Sequence, residues 1–487
     1  MNDASPSHLD LQATAKEIMQ QYGFEPDFPA PVSAQLASLK DRPQIQAGSD
    51  VRDLRSLLWT SIDNDTSRDL DQIEVAERSS NGDVKVMVGI ADVDALVPMQ
   101  TPIDQHAARE TTTVYTGIRN FPMLPEVLST GVTSLLENQD RLSVVIEFVV
   151  DAAGNLKSSD VYRALVRNKA QLQYNSVGAW LEGTAAAPPK VAASSELQQQ
   201  LKLQDEVAQK LKTQRFQHGA LNLQTDEVRP LVLNDRVVDV VKQQKNRATE
   251  LIEDFMVAVN GVVARLLANV SSLRRIVRTP KRWDRIVQLA ASKGEKLPAA
   301  PDSKALNDLL LRRKAADPDH FADLSLSVIK LIGPGEYVLE RAGEVAPGHF
   351  GLAVQDYTHS TAPNRRFADV VTQRLIKAML AGKANPYSDD ELTGIASNCT
   401  QKEDAARKVE REMSKRLAAV AMQHRIGEVF DAIVTGVTDH GTFVRVLQPH
   451  IEGLLAQGEH GLDVGDKLRA KLIRTDVRKG YIDFARA

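Results

Sequence analysis

The chain has 487 residues, of which 43% are hydrophobic and 25% are charged. It is therefore long enough to bury a large core and to form roughly two to four domains. Its single cysteine, Cys399, excludes an internal disulfide and any cysteine-based zinc site. The formal net charge of −4 argues against the basic excess that is typical of nucleic-acid binders.

The charge is unevenly distributed along the chain. Residues 1–100 hold 8 Lys and Arg against 17 Asp and Glu, a balance of −9, so the remaining residues sum to +5. Two basic stretches stand out, 260–285 and 360–427, and the second contains the neighbouring Arg365 and Arg366. Solvated helix faces would explain such runs. The separated pattern also suits a carboxylate site for a metal beside a channel that binds phosphates.

Two short helices are predicted near the N-terminus. Apolar residues recur at near-helical spacing between Leu9 and Met19, Gly23 ends the pattern, and a second short helix follows at 32–39. A helix-turn-helix and a plain helical extension both fit this pattern. The first ten residues are polar, unlike a signal peptide, and no segment has the ~18 apolar residues of a membrane span. We therefore expect a cytoplasmic protein without membrane contact.

The rest of the chain alternates between strand and helix patterns. Residues 85–91 form an apolar run of strand length, whereas 249–267 and 399–423 are predicted helices. Another predicted helix has a buried stripe of five apolar residues: Leu197, Leu201, Val207, Leu211 and Phe216. After Gly427, five short strands within about 60 residues predict a small closed barrel of the OB type.

The densest group of candidate catalytic residues is formed by four aspartates: Asp63, Asp65, Asp69 and Asp71. A strand alternation after Ser67 would place Asp69 and Asp71 on one face together with apolar residues, which tends to desolvate them. Carboxylates held this close raise one another's pKa unless a cation lies between them, and two or three aspartates suffice for Mg²⁺. An acidic turn before a strand is the alternative, because Asn64 and Asp65 favour turns.

A second candidate group lies in the segment 357–369. Pro363 predicts a turn, after which Arg365 and Arg366 begin a helix. An arginine at this place can bind a phosphate with its planar guanidinium. Alternatively, the arginine at the start of the helix, Arg365, pairs with Asp369 four residues on.

Taken together, these segments resemble the ribonuclease II (RNB) family of exoribonucleases over about residues 23–425. Asp63 and the run Asp69-Leu-Asp71 resemble its aspartate signature. Further blocks match in the same order: Gly89-Ile-Ala-Asp92-Val, Tyr115 with Phe121-Pro-Met-Leu-Pro125, Leu251-Ile-Glu253-Asp-Phe-Met, and His349-Phe-Gly-Leu352 followed by Tyr357-Thr-His and Arg365-Arg-Phe-Ala-Asp369. The tail resembles the OB-type RNA-binding repeat named after ribosomal protein S-one.

The resemblance implies a mixed α/β (α+β) catalytic domain, a small N-terminal helical element and a C-terminal five-stranded OB β-barrel. We expect these parts at 51–425, 1–50 and 426–487, respectively. The implied activity is processive 3′-to-5′ hydrolysis of single-stranded RNA to nucleoside 5′-monophosphates with magnesium, in RNA decay or processing. The expected partner is single-stranded RNA with a free 3′ end, and the chain is expected to be monomeric.

The resemblance also assigns roles to individual residues. Asp63, Asp69 and Asp71 would hold the metal, with Asp71 nearest the essential role, and Arg365 would offset charge on the scissile phosphate. Four residues would bind the RNA or support the site: Tyr115, Tyr174, Glu253 and Glu410. Tyr115 would stack on a base near the cleavage point and Tyr174 would lie near the terminal nucleotides, whereas ordinary core packing is the alternative for both tyrosines.

The sequence departs from the family pattern at three places. Gln72 stands where the family has a fourth aspartate; its amide oxygen can ligate but adds no charge, so we expect one Mg²⁺ and leave a second ion open. Leu223 stands where the family often has a phenylalanine that clamps the terminal base. The two cold-shock-type OB domains with which many members begin are expected to be absent, which predicts weaker anchoring of RNA far from the site.

An RNA-binding protein on a catalytically decayed RNB scaffold is the alternative function. Gln72 and Leu223 favour it. The joint presence of the three signature aspartates with Tyr115 and Arg365 favours the enzyme. A helix-turn-helix DNA binder is a third interpretation, and it depends on the N-terminal helices alone.

Overall fold

The computed structural model describes residues 10–39, 50–225, 227–233, 236–243, 245–318 and 320–487. Its first nine strands are β1 (Val51–Asp53), β2 (Thr60–Asp63), β3 (Gln72–Arg78), β4 (Val84–Ala91), β5 (Val114–Tyr115), β6 (Asn120–Phe121), β7 (Asp140–Val150), β8 (Leu156–Arg167) and β9 (Ala170–Gln173). Seven of them form one sheet in the order β1-β8-β7-β4-β3-β2-β9, and β5 pairs with β6 in a small separate sheet.

Helices cover this sheet and extend the chain beyond it. The twelve α-helices of the described residues are α1 (Leu11–Gln21), α2 (Ala30–Leu39), α3 (Pro102–Glu110), α4 (Tyr174–Leu181), α5 (Pro189–Ala192), α6 (Ser195–Gln217), α7 (Arg247–Leu266), α8 (Trp283–Ser292), α9 (Ser303–Ala316), α10 (Phe321–Ile332), α11 (Phe367–Leu380) and α12 (Asp389–Met422). The predicted strand at 85–91 is confirmed as β4, and the predicted helices at 249–267 and 399–423 are confirmed within α7 and α12.

The sheet is buried on both faces, as the near-continuous apolar character of its central strands requires. Every residue of β4 except Lys85 is buried, and the core cluster around it includes Trp59, Ile62, Ile73 and Phe148. Apolar residues of α6, α7 and α11 belong to the same cluster. The helices therefore lie against the sheet and hold its strand ends in fixed positions.

The two N-terminal helices pack against different parts of the chain. Ala15, Ile18 and Met19 of α1 form a cluster with Val409 and Met413 of α12, while α2 contacts α3. The side chain of Asp10 caps α1 by accepting from the backbone N–H groups of residues 12 and 13. The division into parts at 1–50, 51–425 and 426–487 stays a prediction.

A helical unit formed by α8, α9 and α10 has its own apolar core. Its buried members are Trp283, Ile286, Leu306, Leu310, Phe321 and Val328. The three helices are inserted between two strands that pair with each other, β12 (Ser272–Ile276) and β13 (Glu336–Glu340). The chain leaves β12, forms the helices and returns as the antiparallel β13. The strands β10 (Glu227–Leu233) and β11 (Arg236–Gln243) form a further antiparallel pair.

The C-terminal strands close into a barrel, which confirms the prediction of a five-stranded OB-type fold. They are β14 (Val429–Thr438), β15 (Gly441–Val446), β16 (Ile451–Gln457), β17 (Lys467–Asp476) and β18 (Tyr481–Arg486), in the order β14-β15-β16-β18-β17. Arg445 of the barrel binds Asp323 of α10 through both guanidinium Nη atoms, at 2.9 and 3.0 Å. Among the described helices, none is long and apolar enough to cross a membrane.

Candidate active site

The aspartate run lies in the connection between β2 and β3. Asp63 is the last residue of β2, and β3 begins at Gln72, so Asp69 and Asp71 precede the strand. The predicted strand face shared by these two aspartates is therefore wrong. The burial that the strand alternation predicted is nevertheless present for Asp71, which is 2% exposed.

Neighbouring backbone fixes the shape of this connection. The hydroxyl of Ser134 donates to the carbonyl of Arg68 at 2.6 Å and accepts from the N–H of Leu70 at 2.9 Å. The N–H of Ala91 donates to the carbonyl of Asp71 at 2.9 Å. Asp71 is thus held at the end of β4 by backbone contacts, which leave its side chain free for other partners. The sequence pattern contained no signal for the contribution of Ser134.

Asp71 is a buried carboxylate with incomplete charge compensation. Its Oδ1 accepts the backbone N–H of Asn364 at 2.9 Å, and its Oδ2 lies 3.5 Å from Nε of Arg365. Burial raises the pKa of Asp71 to about 7, although the nearby Arg365 lowers it, and the charge of Asp69 raises it further. Asp71 would therefore gain from any additional positive charge at this place.

The two neighbouring arginines have different partners. Arg366 pairs with the buried Asp369 at 2.8 Å, so the alternative pair of Arg365 with Asp369 is wrong. Arg365 faces Asp71 instead, and its side chain is 47% exposed. The helix α11 begins at Phe367, so both arginines precede it. Arg365 is consequently the arginine of this pair that remains accessible to a ligand.

Tyr115 lies between the aspartate connection and α12. Its hydroxyl donates to Oδ2 of Asp69 at 3.2 Å, and its backbone N–H donates to Oε1 of Glu410 at 3.0 Å. The N–H of Thr113 donates to the carbonyl of Arg365 at 3.0 Å, so the segments of Tyr115 and Arg365 are joined directly. The ring of Tyr115 is still 38% exposed. Burial raises the pKa of Glu410.

Strand pairing places Tyr174 close to Asp63. Asp63 pairs with Gln173 across β2 and β9, and Tyr174 is the next residue. The charge of Asp63 raises the pKa of Tyr174, although burial is the larger cause. Burial also raises the pKa of Asp63, whose Oδ1 accepts from the backbone N–H of Asn64 at 2.7 Å and from the hydroxyl of Ser67 at 3.0 Å.

Glu74 is a polar residue near this site that the sequence reasoning missed. It is fully buried, and neither carboxylate oxygen has a hydrogen-bond partner within the described part of the chain. Burial raises the pKa of Glu74 well above its usual value, and the charge of Asp63 adds to this effect. Strand alternation places Glu74 on the same face of β3 as Gln72, which is the signal that could have identified it.

A cavity of about 310 Å³, here called the Arg365 cavity, opens beside these residues. Its lining includes Tyr115, Arg365, Glu410, Tyr337 and His359. The hydroxyl of Tyr337 lies 2.7 Å from Nδ1 of His359. Burial lowers the pKa of His359 well below its usual value, with a further contribution from Arg366, so this ring is neutral. Arg366 and Arg407 also line the cavity, but they pair with Asp369 and Glu403, respectively, so the positive charge that stays open to a ligand is that of Arg365.

Glu253 and Leu223 lie in a different cavity, here called the Leu223 cavity, of about 400 Å³. Glu253 pairs with Lys245 at 2.7 Å. Phe216 of α6 lines the same cavity and is partly exposed, so its predicted place in the buried stripe of α6 is wrong. The four other members of that stripe, Leu197, Leu201, Val207 and Leu211, are buried.

The carboxylates fit a cation that receives part of its shell from elsewhere. The described residues contain no group of three or more His, Cys, Asp or Glu side chains arranged to hold a metal ion. Asp69 and Asp71, however, carry carboxylate oxygens, which are hard ligands. The charge of Asp69 repels that of the buried Asp71, and a cation between them would relieve this repulsion. Mg²⁺ commonly takes one or two carboxylates and completes its shell with water and phosphate oxygens. Asp63 and Gln72 as ligands stay predictions.

Two family models match the chain. The RNB domain matches residues 51–382, and the RNase II-type exonuclease C-terminal S1 domain matches residues 428–487. Ribonuclease R of Thermotoga maritima is 30% identical over 527 residues, which cover 99% of this chain and 71% of that protein. Ribonuclease R of Escherichia coli K12 is 30% identical over 448 residues, and the chain spans only 54% of its length.

Solved structures show the same fold. The RNase R of Mycoplasma genitalium in complex with ribose-methylated single-stranded RNA has a TM-score of 0.86 at 22% identity, covering 98% of this chain and 78% of that one. Yeast Ssd1, described as a pseudonuclease, has a TM-score of 0.71 at 18% identity, covering 91% of this chain and 55% of that one. The fold is thus shared by a protein named a ribonuclease and by one described as a pseudonuclease.

Proposed function

Because the chain belongs to the RNB family, we propose that it is a metal-dependent 3′-to-5′ exoribonuclease of the ribonuclease II type. Its substrate would be single-stranded RNA with a free 3′ end, and its products nucleoside 5′-monophosphates. One observation supports this most strongly: the half-exposed Arg365 faces the buried, incompletely neutralised Asp71 at the edge of an open cavity. An arrangement of this kind suits a phosphodiester rather than a neutral ligand.

The residues of the chain would divide the work between them. Arg365 would bind a non-bridging oxygen of the scissile phosphate and offset the negative charge that grows in the transition state. Asp69 and Asp71 would hold the magnesium ion, with Asp63 as a further ligand. When bound, the ion would supply an activated water and polarise the phosphate. The backbone N–H of Asn364 would keep the Asp71 carboxylate oriented throughout.

Tyr115 would orient the RNA next to the cleavage point. Its exposed ring offers a stacking face, and such stacking contributes roughly 1–3 kcal/mol per base. Two hydrogen bonds hold the residue, one from its hydroxyl to Asp69 and one from its backbone to Glu410. Glu410 would therefore act through Tyr115, while the S1 barrel would bind RNA outside the catalytic cavity.

An RNA-binding protein on a decayed nuclease scaffold is the second candidate. The observation that favours it is Gln72, which is buried at the start of β3 where a carboxylate would strengthen cation binding. The incubation of purified protein with RNA labelled at its 3′ end, with Mg²⁺ or with chelator, separates the two. We expect mononucleotide release with Mg²⁺ only; binding without any cleavage would support the second candidate.

A matched variant controls for a contaminating nuclease. Asp71→Asn removes the charge from the aspartate connection and is expected to abolish release. Asp104→Asn makes the same exchange in a buried carboxylate of α3, which binds Arg374 at 2.8 Å and lies outside the proposed site. Mononucleotide release that persists at the same rate in Asp71→Asn would contradict the proposal.

A further inference from the structure

The Leu223 cavity differs from a phosphate site in its charges. It is lined by α6, α7 and the segment between α6 and β10, and it contains three ion pairs. Lys212 binds Glu250 and Lys245 binds Glu253, each at 2.7 Å, and Arg215 binds the buried Asp254. Each of these three basic groups is thus paired with a carboxylate of α7, whereas Lys314 of α9, which also lines the cavity, has its ammonium group 5.6 Å from the ring centre of Phe321.

Leu223 itself is occupied by a structural contact. Its side chain packs against the apolar core of the helical unit formed by α8, α9 and α10. The backbone on both sides is fixed to the same unit, because the N–H of Asn222 donates to Oδ1 of Asn307 at 2.8 Å and the N–H of Gln224 donates to the hydroxyl of Ser325 at 3.2 Å. Leu223 is therefore directed to the helical unit, and it has no aromatic face to offer a base.

Phe216 is an aromatic residue without a core of its own. It belongs to none of the four hydrophobic clusters of the described residues, although the other apolar residues of the α6 stripe belong to the main one. It is partly exposed, and among the described residues that line the Leu223 cavity it is the only aromatic. The ammonium group of Lys212 lies 5.8 Å from the centre of its ring, at the outer limit of a cation–π contact.

From this we infer that Phe216 is the base-stacking residue of the Leu223 cavity and receives a nucleobase near the 3′ end of the RNA. The inference rests on the proposed function for the identity of the ligand, and it names a residue of α6 in the place of the aromatic that position 223 lacks. A planar aromatic ring that lines a cavity binds any base through its π face, with little preference for sequence, and Lys314 in the same lining suits a neighbouring phosphate. Glu253 lines the same cavity, where it is paired with Lys245 at 2.7 Å.

The test is an equilibrium binding measurement in the presence of chelator, so that it requires no cleavage. A short single-stranded RNA with a 5′ fluorescent label is compared with the same RNA whose 3′-terminal nucleotides lack their bases. Wild-type protein is expected to bind the RNA with bases roughly 5- to 150-fold more tightly than the RNA without them. In Phe216→Leu this ratio is expected to fall several-fold, because the stacking face of Phe216 is gone while the backbone contacts and the stacking face of Tyr115 remain.

Three further variants keep the result interpretable. Phe216→Tyr retains the aromatic face and should retain the ratio. Phe216→Met retains apolar volume without a ring and should lower it as the leucine variant does, which also covers the case in which the leucine variant folds poorly. Phe350→Leu is the matched control, because that ring contacts Trp283 at 6.2 Å within the helical unit and is not among the residues that line the cavity; it should leave the ratio unchanged.

The outcomes separate this inference from the proposed function. A base-dependent ratio that is equal in wild type and in both Phe216→Leu and Phe216→Met overturns the inference, whatever the protein does to RNA. A ratio that falls several-fold in these variants supports it, even if no mononucleotide is released in the cleavage assay.

Discussion

The Arg365 cavity and the Leu223 cavity solve the problem of buried charge in opposite ways. In the Arg365 cavity, the guanidinium of Arg365 is half exposed and lies 3.5 Å from a carboxylate that is itself poorly neutralised. In the Leu223 cavity, three basic residues each bind a carboxylate directly. The first cavity therefore keeps the charge of Arg365 available for a ligand, whereas the second pairs three of its four basic residues internally, Lys314 being the fourth.

This difference indicates which part of an RNA each cavity would suit. A phosphate in its transition state needs oriented charge that is not already engaged. A base needs a flat apolar surface, and unpaired charges beside it would cost desolvation energy. The presence of both kinds of cavity in one chain is what a nuclease acting at a strand end would require.

An aromatic ladder runs between the two cavities. The rings of His349, Tyr357, His359 and Tyr337 contact one another edge to face at 5.4 to 5.9 Å between centres. Tyr337 and His359 line the Arg365 cavity, and Leu352, whose N–H donates to Nδ1 of His349 at 3.1 Å, lines the Leu223 cavity. The two cavities are thus held at a fixed relative position by packed rings.

The largest expected effect is that of Asp71→Asn. The substitution keeps the size of the side chain and an oxygen that can accept from Asn364, but it removes the charge that would hold the cation. We expect turnover to be abolished and the affinity for RNA to be retained, measured by product release and by anisotropy. A variant that keeps most of its turnover would show that the charge of the Arg365 cavity is not what drives cleavage.

Arg365→Gln should follow closely. Loss of a positioned donor to a transition-state charge costs about 10²–10³-fold in kcat, with a much smaller change in KM. Arg366→Gln is the contrasting variant, because Arg366 binds buried Asp369 at 2.8 Å and its loss should lower the melting temperature. Equal kinetic and thermal behaviour of the two variants would contradict the separation of roles between these neighbours.

The ladder predicts a pH-dependent stability. Burial and the charge of Arg275 lower the pKa of His349 to about 4 in the folded state, from 6.5 in the unfolded chain. The unfolded state therefore binds the proton first, and stability from this group is present above pH 6.5 and lost as the pH falls towards 4. Between pH 7 and 5 the loss is on the order of 2 kcal/mol.

Urea unfolding of wild type and His349→Asn at these two pH values measures this contribution. Asparagine keeps a side-chain acceptor for the N–H of Leu352 but does not titrate in this range. The wild type should lose more stability than the variant on going to pH 5. An equal loss in both proteins would show that His349 is already protonated or exposed in the folded state.

The smallest expected effect concerns the contact between the helical unit and the barrel. Arg445 of β15 and Asp323 of α10 form an ion pair with two hydrogen bonds. Asp323 is two residues away from Ser325, whose hydroxyl accepts from the backbone beside Leu223. Arg445→Gln should lower stability by about 1 kcal/mol and should reduce the base-dependent binding ratio only slightly. Unfolding curves of Arg445→Gln, Asp323→Asn and the double variant give the coupling energy between the two residues. Additive losses of stability would show that the ion pair does not stabilise the contact between the helical unit and the barrel.

Much of the fold follows from local patterns. The barrel strands could be recognised in the sequence because each is bounded by turn residues. Their predicted number and closed arrangement are confirmed. The connection of Asp63, Asp69 and Asp71 was visible as a run of carboxylates, but its conformation was not, because it depends on Ser134 and on the end of β4 rather than on its own residues. A pattern read along one segment cannot include such partners.

The same limit explains the site residues that were found or missed. Tyr115 and Glu410 were predicted separately, yet their contact joins residues 295 positions apart and could come only from the structure. Helical spacing placed Phe216 in a buried stripe, and the spacing was right for the four residues before it. In the last turn of α6, however, the ring of Phe216 lines a cavity instead.

The most direct test of the division between the two cavities is a single-turnover measurement with Mg²⁺ on RNA with and without its 3′-terminal base. Wild type, Arg365→Gln and Phe216→Leu are compared on both substrates. The division predicts that Arg365→Gln slows cleavage by the same factor on both RNAs, whereas Phe216→Leu slows only the RNA that has the base. A Phe216→Leu defect of equal size on both substrates, or an Arg365→Gln defect that disappears without the base, would contradict it.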